Sequence, residues 1–463
     1  MHQPKRPPAP RAGLLTPLAA AALAAAAFAA AWIPGTAGAQ QQQRQRARPA
    51  VGAAAQKPRI RALPAGLTMA RVRAHDRRPA HVRGIEIEET DPAREILYTK
   101  RPLVLKKFEK TPRPDIDAFG TALHAIFKDN VTGYAYQIRR NGAPIYAGAW
   151  EWAQTPADRD GGWDADTRMH VASVSKFLTA VGMLKALDDA GVSLDAKIGP
   201  YLPAAWSQGS NVDDITFRHL LTHQSGFDSG EGSDKYRTDY DFMKRKVAAG
   251  VSGVGTPTGY ENMNFGLCRI LIPVVNGDIE RDAVFMEGNT DVNDSAWDAV
   301  TILHYRKFLQ DKLFTPAGVR NAGFIPSSGG KRALAYKYPH GNDKGWDSGD
   351  LSTVSAAVGW RLSLKELLDV AHHVRRRGTV LSPDRAQFLL DAKLGIDQKV
   401  DTPAGPAYNK NGKWGGGSGT EQSVLYFFPQ NIEVAVYVNS PLGTENFSLR
   451  DAVKNAYINS LKE

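Results

Sequence analysis

The chain has 463 residues, of which 42% are hydrophobic and 23% charged, and these are the proportions of a soluble globular protein. Its formal charge of +10 is concentrated at the start: residues 1–80 carry thirteen Lys and Arg against the single Asp76, so the remaining residues sum to −2. A nearly neutral folded body argues against a nucleic-acid-binding domain, whose basic residues would cluster on a folded face.

Residues 1–39 have the features of a secretory signal peptide. The start is basic, residues 14–32 form an Ala/Leu-rich apolar run, and Ala37-Gly38-Ala39 provides small residues at a cleavage point. An uncleaved membrane anchor is the alternative, because the apolar run is nearly long enough to span a bilayer. Either way we expect an exported protein, periplasmic or secreted, whose folded body lies outside the cytoplasm.

Residues 40–112 are predicted to be a basic linker and N-terminal extension. The Gln-rich and then Arg/Ala/Pro-rich part up to residue 65 has little to bury. Residues 82–88 alternate like a strand, and the sequence leaves open whether they join the main domain. A disordered, solvated tail is the default for such a segment, and weak contact with anionic lipid or a cell-wall polymer is its alternative.

Regular periodicity begins in the predicted main domain, residues 113–463. Apolar residues of Ile116 to Phe127 have helical spacing, and residues 134–148 predict two strands that turn at Asn141-Gly142. A helix is predicted from Ser173 to about Ala190, with Gly191 as its C-terminal cap.

The last third of the chain predicts an amphipathic helix over residues 364–377, a hairpin of residues 423–428 and 432–438, and a closing helix over residues 446–461. Strands at both ends with helices between them predict one α+β domain. Its antiparallel sheet would be assembled from the two ends of the chain.

Two further features are structural in our interpretation. Cys268, the single cysteine, excludes an intramolecular disulfide and a Cys-rich metal site, and its apolar neighbours predict a buried thiol. The acidic stretch from Asn289 to Asp298 is predicted to be exposed.

Ser173 and Lys176 form an S-x-x-K pattern that places both side chains on one helix face. A lysine whose pKa is lowered by burial can take the proton of a serine hydroxyl and so activate it as a nucleophile, while the helix dipole favours developing negative charge at Ser173. Alone the pattern is weak, because a serine that caps a helix and a solvated lysine would produce it too.

The run Val171-Ala172-Ser173-Val174-Ser175-Lys176-Phe177 resembles the nucleophile motif of the serine β-lactamase and penicillin-binding group, specifically its class C and esterase-like branch. Residues 220–227 resemble the loop that follows the next helix in that family. The resemblance implies a β-lactamase/transpeptidase-like fold, an antiparallel sheet flanked by helices with an inserted, mainly helical subdomain. The family does not use the histidine of this loop, here His223, as its base, so we expect a structural role for it.

The second motif of that branch, Y-x-N, is matched by Tyr260-Glu261-Asn262. The resemblance implies that Tyr260 is a general base whose pKa is lowered by positive neighbours and that Asn262 orients Lys176 and the substrate. Residues 272–300 are longer and more acidic than the family pattern, so the family's substrate specificity does not carry over.

The third motif of the family lies on the strand that edges the cleft, and two candidates compete for it. We prefer Trp414-Gly415-Gly416, because its distance to Pro429 matches the family; the oxyanion donors would then be the N–H groups of Ser173 and Gly417. The alternative is Lys410-Asn411-Gly412. A tryptophan in place of lysine would remove the charged partner of a substrate carboxylate, about 1.5–3 kcal/mol, and so favour neutral acyl compounds.

The sequence therefore predicts an exported serine hydrolase, esterase-like, that acts on small ester or amide substrates through an acyl-enzyme on Ser173, without metal or organic cofactor. A β-lactamase or D-Ala-D-Ala carboxypeptidase that acts on cell-wall peptides is the first alternative, and Lys410 as the third-motif residue would favour it. A non-catalytic protein that binds penicillin-type ligands is the second. The sequence does not specify the oligomeric state.

Overall fold

A computed structural model of the chain describes residues 59–60, 111–257, 259–326, 330–416, 419–442 and 448–462. The predicted signal peptide and most of the predicted extension lie outside the described residues. Among the helices that the structure does describe, none has both the length and the apolar character that a membrane crossing requires.

An antiparallel seven-stranded sheet forms the centre of the domain. The strands of the described residues are β1 (Arg59–Ile60), β2 (Arg113–Pro114), β3 (Gly133–Arg140), β4 (Ala143–Gln154), β5 (Gly161–Gly162), β6 (Met169–His170), β7 (Ala283–Val284), β8 (Arg361–Leu362), β9 (Gln398–Thr402), β10 (Gly405–Gly416), β11 (Gly419–Phe428), β12 (Ile432–Val438) and β13 (Leu461–Lys462). The strand order of the sheet is β5-β4-β3-β12-β11-β10-β9. Its central seam joins β12 to β3, so strands from the two ends of the domain pair as predicted.

Helices cover both faces of this sheet, as expected for an α+β domain. Three of these helices are extended at one end by a 3₁₀ or π-helical turn. The 3₁₀ turn Ala172–Val174 matters most for the site. The α-helices of the described residues are α1 (Ile116–Phe127), α2 (Ser175–Ala190), α3 (Phe217–Leu221), α4 (Tyr240–Ala249), α5 (Asn262–Val275), α6 (Thr290–Leu309), α7 (Leu364–His372), α8 (Pro383–Asp391) and α9 (Leu449–Asn459).

The two faces of the sheet belong to two separate apolar cores, because successive side chains of a strand point to opposite faces. In β11, Leu425 and Phe427 pack with the large helical region that contains α2, α5 and α6. Their neighbours Val424 and Tyr426 pack with α1 and α9 on the other face. The helical core holds the nucleophile motif, so the sheet gives the site a fixed floor.

Local turn chemistry explains why the hairpins form where the sequence predicts them. Asn141 and Gly142 have φ values of 53° and 79°, and Gln430 and Asn431 have φ values of 59° and 61°. Left-handed conformations at both central residues are those of a tight turn whose twist matches that of the flanking strands. Gly191 ends α2 with φ 65°, as predicted for its cap.

The predicted exposure of residues 289–298 is wrong for its second half. Trp297 and Asp298 are buried in α6, and the Asp298 carboxylate lies 2.6 Å from Nη2 of the buried Arg269. An acidic residue here is therefore compatible with burial, because its charge has a buried partner. The buried Cys268 agrees with its predicted role.

Candidate active site

Ser173 lies in the 3₁₀ turn Ala172–Val174 that leads into α2. The preceding residue, Ala172, has φ 46°, a left-handed conformation that costs free energy for a residue with a Cβ. Contacts on both sides hold this turn: the Val171 N–H donates to Trp360 O at 2.9 Å, and Ser423 Oγ donates to Val171 O at 2.7 Å. The contacts that hold this strained turn thus fix the position of Ser173.

Lys176 is fully buried one turn further along, and three oxygen atoms surround its amine. Nζ lies 3.2 Å from Ser173 Oγ, 2.7 Å from Asn262 Oδ1 and 3.1 Å from Ala357 O. Burial, and then the nearby charge of Lys410, hold the pKa of Lys176 well below the ordinary lysine value. A neutral amine fits these partners: its two N–H groups match the amide and carbonyl acceptors, and its lone pair faces the serine hydroxyl.

Tyr260 lies between the two lysines. Its ring centroid is 4.6 Å from Lys176 Nζ and 4.8 Å from Lys410 Nζ, and its hydroxyl is 3.1 Å from Lys410 Nζ. Burial raises the pKa of Tyr260, and the charge of Lys410 only partly opposes it. The lowered pKa expected for Tyr260 is therefore wrong, because burial outweighs the positive neighbours and the phenol is neutral. Lys176 is the group with a lowered pKa that faces the serine.

Asn262 begins α5 and connects that helix to the lysine. While its Oδ1 accepts from Lys176, its Nδ2 donates to Lys235 O at 3.2 Å. The preceding Glu261 is the N-cap of α5, and its carboxylate accepts from Met263 N–H and from both the N–H and the hydroxyl of Ser229. The capped helix start holds Tyr260 and Asn262 in place next to α2.

The structure places Lys410, not Trp414, beside Tyr260, and this contradicts the preferred third motif. Trp414 lies further along β10, where its buried indole packs edge-on against His170 and Tyr236 at centroid distances of 5.6 and 6.1 Å. It is Gly412 that lies against the nucleophile turn: a Cβ added there would be 2.7 Å from Ser173 N. Residues 410, 412 and 414 all point to the same face of β10, so the position of each one along the strand decides which of them lies beside Tyr260.

The other candidates for the third motif are the glycines that follow Trp414 in the sequence. Gly415 and Gly416 continue β10 past the nucleophile turn, and Gly417 lies outside the described residues. Asn411 N–H points away from β11, toward Asp397 Oδ2 at 2.9 Å. Because N–H groups alternate along a strand, the N–H of Lys413 points to the same edge of the sheet as that of Asn411.

Asp397 is a site residue that sequence analysis missed. Its carboxylate forms an ion pair with Lys410 Nζ, and both side chains are almost completely buried. The only sequence signal is an acidic residue in the mostly apolar run Leu394-Gly395-Ile396-Asp397, thirteen positions before Lys410. Nothing in that spacing indicates that the two residues meet.

His223 packs against the site without facing the Ser173 hydroxyl. Its ring lies on that of Tyr260 with a centroid distance of 4.4 Å, and its Nδ1 accepts from Glu261 N–H at 3.1 Å. Burial is the main cause that lowers the pKa of His223 well below its usual range. A neutral imidazole that supports the tyrosine agrees with the structural role expected for it.

Comparisons with known proteins find relatives of this chain and solved structures with its fold. Of curated proteins, the putative penicillin-binding protein PbpX of Bacillus subtilis is 23% identical over 34% of this chain and 33% of its own, and the esterase/beta-lactamase LipL of Mycobacterium tuberculosis is 28% identical over 29% and 31%. The match thus spans about a third of either relative. The solved class C beta-lactamase of Rhodobacter sphaeroides superimposes with a TM-score of 0.51 at 17% identity, over 74% of this chain and 99% of that one, which shows a common fold.

The comparison with protein families decides the membership. The sequence model of the Beta-lactamase family matches residues 116–457, which include all residues of the site described above. The members of this family with the β-lactamase fold are serine hydrolases. The chain belongs to the Beta-lactamase family.

Proposed function

We propose that the protein is an exported, esterase-like serine hydrolase that transfers the acyl group of a small ester or amide through Ser173 to water. The observation that supports this most directly is the buried Lys176 amine, 3.2 Å from Ser173 Oγ and otherwise surrounded by acceptors. A binding protein does not require an amine with a depressed pKa next to a serine in a strained turn. Export is proposed from residues 1–39 alone.

In the acylation step, Ser173 Oγ attacks the substrate carbonyl carbon while its proton passes to Lys176 Nζ. The N–H groups of Ser173 and Lys413 are the proposed donors to the tetrahedral oxyanion, because Gly412 packs on Ser173 N and the Lys413 N–H faces the same strand edge. The neutral Tyr260 hydroxyl gives its proton to the leaving group as the acyl–oxygen or acyl–nitrogen bond breaks, and Lys176 returns a proton to Tyr260. Water then attacks the acyl-enzyme with Lys176 again as base. The proton passes from Lys176 to Ser173 Oγ as the acyl–Oγ bond breaks, which releases the acid and restores the neutral amine.

A β-lactamase or D-Ala-D-Ala carboxypeptidase remains the second candidate, because one specific observation favours it. A lysine and not a tryptophan lies next to Tyr260, so a cation is available near the position of the leaving group. On that ground alone Lys410 would favour a substrate with a carboxylate. It stays the second candidate because the charge of Lys410 is already paired with the buried carboxylate of Asp397.

The proposal is tested by covalent labelling of the nucleophile. The purified protein is treated with a fluorophosphonate probe and analysed by mass spectrometry, with Ser173→Ala and Ser175→Ala as matched variants in the same motif. We expect a single adduct on Ser173, lost only in Ser173→Ala, and turnover of p-nitrophenyl butyrate but not of nitrocefin. Folded protein without an adduct would support the non-catalytic binding protein instead, and nitrocefin turnover would support the β-lactamase.

A further inference from the structure

The charge of Lys410 has a dedicated partner at the floor of the site. Asp397 accepts from Lys410 Nζ through Oδ1 and from Asn411 N–H through Oδ2 at 2.9 Å. The side chain of Lys410 is 2% exposed and that of Asp397 10% exposed. An ion pair that is shielded from water in this way keeps most of its mutual attraction, and salt screens it little.

The loop before β9 is shaped to bring Asp397 to this position. Gly395 has φ 66°, and a Cβ on it would lie 2.7 Å from Lys176 O, so the loop passes directly behind the nucleophile helix. Its N–H donates to Leu221 O at 3.0 Å, and the N–H of Asp397 donates to Asn409 O at 2.9 Å. The carboxylate is therefore held by backbone contacts on both sides and has little freedom to leave Lys410.

Asp397 also changes the sum of charge around the nucleophile. The charge of Lys410 lowers the pKa of Lys176, whereas the charges of Asp397 and Glu261 raise it. Burial by itself lowers the pKa of Lys410, but Asp397 and Tyr260 outweigh burial and raise it, so Lys410 is a cation whose charge Asp397 balances. With Lys176 neutral, the floor next to Tyr260 has no net positive charge.

We infer that Asp397 is a specificity-determining residue that cancels the attraction of Lys410 for anions and so selects substrates whose leaving group is uncharged. The inference rests on the proposed acyl transfer at Ser173. In that mechanism Tyr260 protonates the leaving group, and Lys410 Nζ lies 3.1 Å from the Tyr260 hydroxyl. A carboxylate on the leaving group would approach Lys410 and Asp397 together and would be repelled by the second as it is attracted by the first.

The test uses a matched pair of thioesters, hippuryl thioglycolate, which has a carboxylate on its leaving group, and the methyl ester of the same compound. Thiol release is followed with a disulfide reagent, to which the buried Cys268 does not contribute. We expect the wild-type protein to prefer the methyl ester. In Asp397→Asn, the ratio of kcat/KM for the carboxylate over the methyl ester should rise roughly tenfold or more, since one nearby negative charge is removed. Asp401→Asn, an exposed position in the adjacent β9, is the matched control and should leave the ratio unchanged.

A second pair of variants tests the same idea if Asp397→Asn does not fold. Lys410→Met leaves Asp397 without its cation, so the ratio should fall below that of the wild type. Asp397→Asn combined with Lys410→Met removes both charges and should restore the wild-type ratio, even at a lower absolute rate. A purely structural role of Asp397 would lower both rates together and would not move the ratio.

The outcomes separate this inference from the proposed function. Wild-type protein that hydrolyses neither thioester and forms no Ser173 adduct would overturn the proposed function. Wild-type protein that hydrolyses both but prefers the carboxylate tenfold, or an Asp397→Asn ratio equal to the wild-type ratio, would overturn the role of Asp397 and leave the acyl transfer intact.

Discussion

The protonation of a single amine governs the chemistry proposed at Ser173. Burial first, and Lys410 second, lower the pKa of Lys176 below the lysine value of 10.5, and only the neutral amine can accept the serine proton. The rate of Ser173 labelling should therefore rise with pH as Lys176 loses its proton, with an inflection well below pH 10.5. The labelling rate is measured with the fluorophosphonate probe in quenched reactions from mildly acidic to alkaline pH.

Lys176→Arg provides the corresponding variant, because a guanidinium keeps its charge and cannot act as base. We expect the labelling rate to fall by roughly 10²–10⁴-fold, the usual contribution of a general base. Lys185→Arg on the same helix, whose amine pairs with Asp189, is the control and should keep the wild-type rate. A Lys176→Arg protein that labels at the wild-type rate would exclude Lys176 as the base.

Site residues that lie together in one short segment could be predicted from the sequence. Site residues that meet only through the register of a strand could not. Ser173 lies in the 3₁₀ turn that leads into α2, and Lys176 lies in the first turn of that helix. Tyr260 and Asn262 flank the N-cap of α5, so short motifs were enough to propose each pair together. Lys410 and Trp414 lie on the same face of one strand, and only the contact of Gly412 with Ser173 N decides which of the two reaches Tyr260. That contact depends on how the sheet packs against the nucleophile turn, and the spacing of the motif does not predict it.

At the scale of elements, β10 serves the site by its backbone as much as by its side chains. A Cβ on Gly412 would be 2.6 Å from Val171 O and 2.7 Å from Ser173 N, and both of these are backbone atoms of the nucleophile turn. The close approach is possible only because residue 412 lacks a side chain. It also fixes the distance between the strand edge and the serine, on which an oxyanion hole depends.

Gly412→Ala should therefore displace the strand from the nucleophile turn. We expect kcat/KM for p-nitrophenyl butyrate to fall by roughly 10²-fold, because a shift of about 1 Å in a reacting group has that order of effect. The control is Gly162→Ala in β5, where the nearest atom to an added Cβ is 3.9 Å away. If Gly412→Ala retains both wild-type activity and wild-type thermal stability, the close packing of β10 on Ser173 is not required.

At the scale of the whole molecule, the sheet ties the two ends of the domain to the site between them. The predicted α+β class and the pairing of the terminal strands are confirmed, because alternating apolar residues and tight turns specify both. The loop that carries Asp397 and the burial of Asp298 were not predictable, because each depends on a partner that lies elsewhere in the chain. Long-range ion pairs leave no periodic signal in a sequence.

Since β3 and β12 form the seam between the two ends, loosening β3 should disrupt the distant site and the sheet in one transition. Ile138 is fully buried in β3, whereas Ile145 in the neighbouring β4 is 38% exposed. We expect Ile138→Ala to lower the free energy of unfolding by about 2–5 kcal/mol and Ile145→Ala to change it by less than about 0.5 kcal/mol. Urea unfolding is followed by circular dichroism and, in parallel, by the fraction of protein that labels at Ser173. Coincident midpoints in both variants are expected for one cooperative domain, and loss of labelling well before loss of the sheet would show that the helical region around Ser173 unfolds on its own.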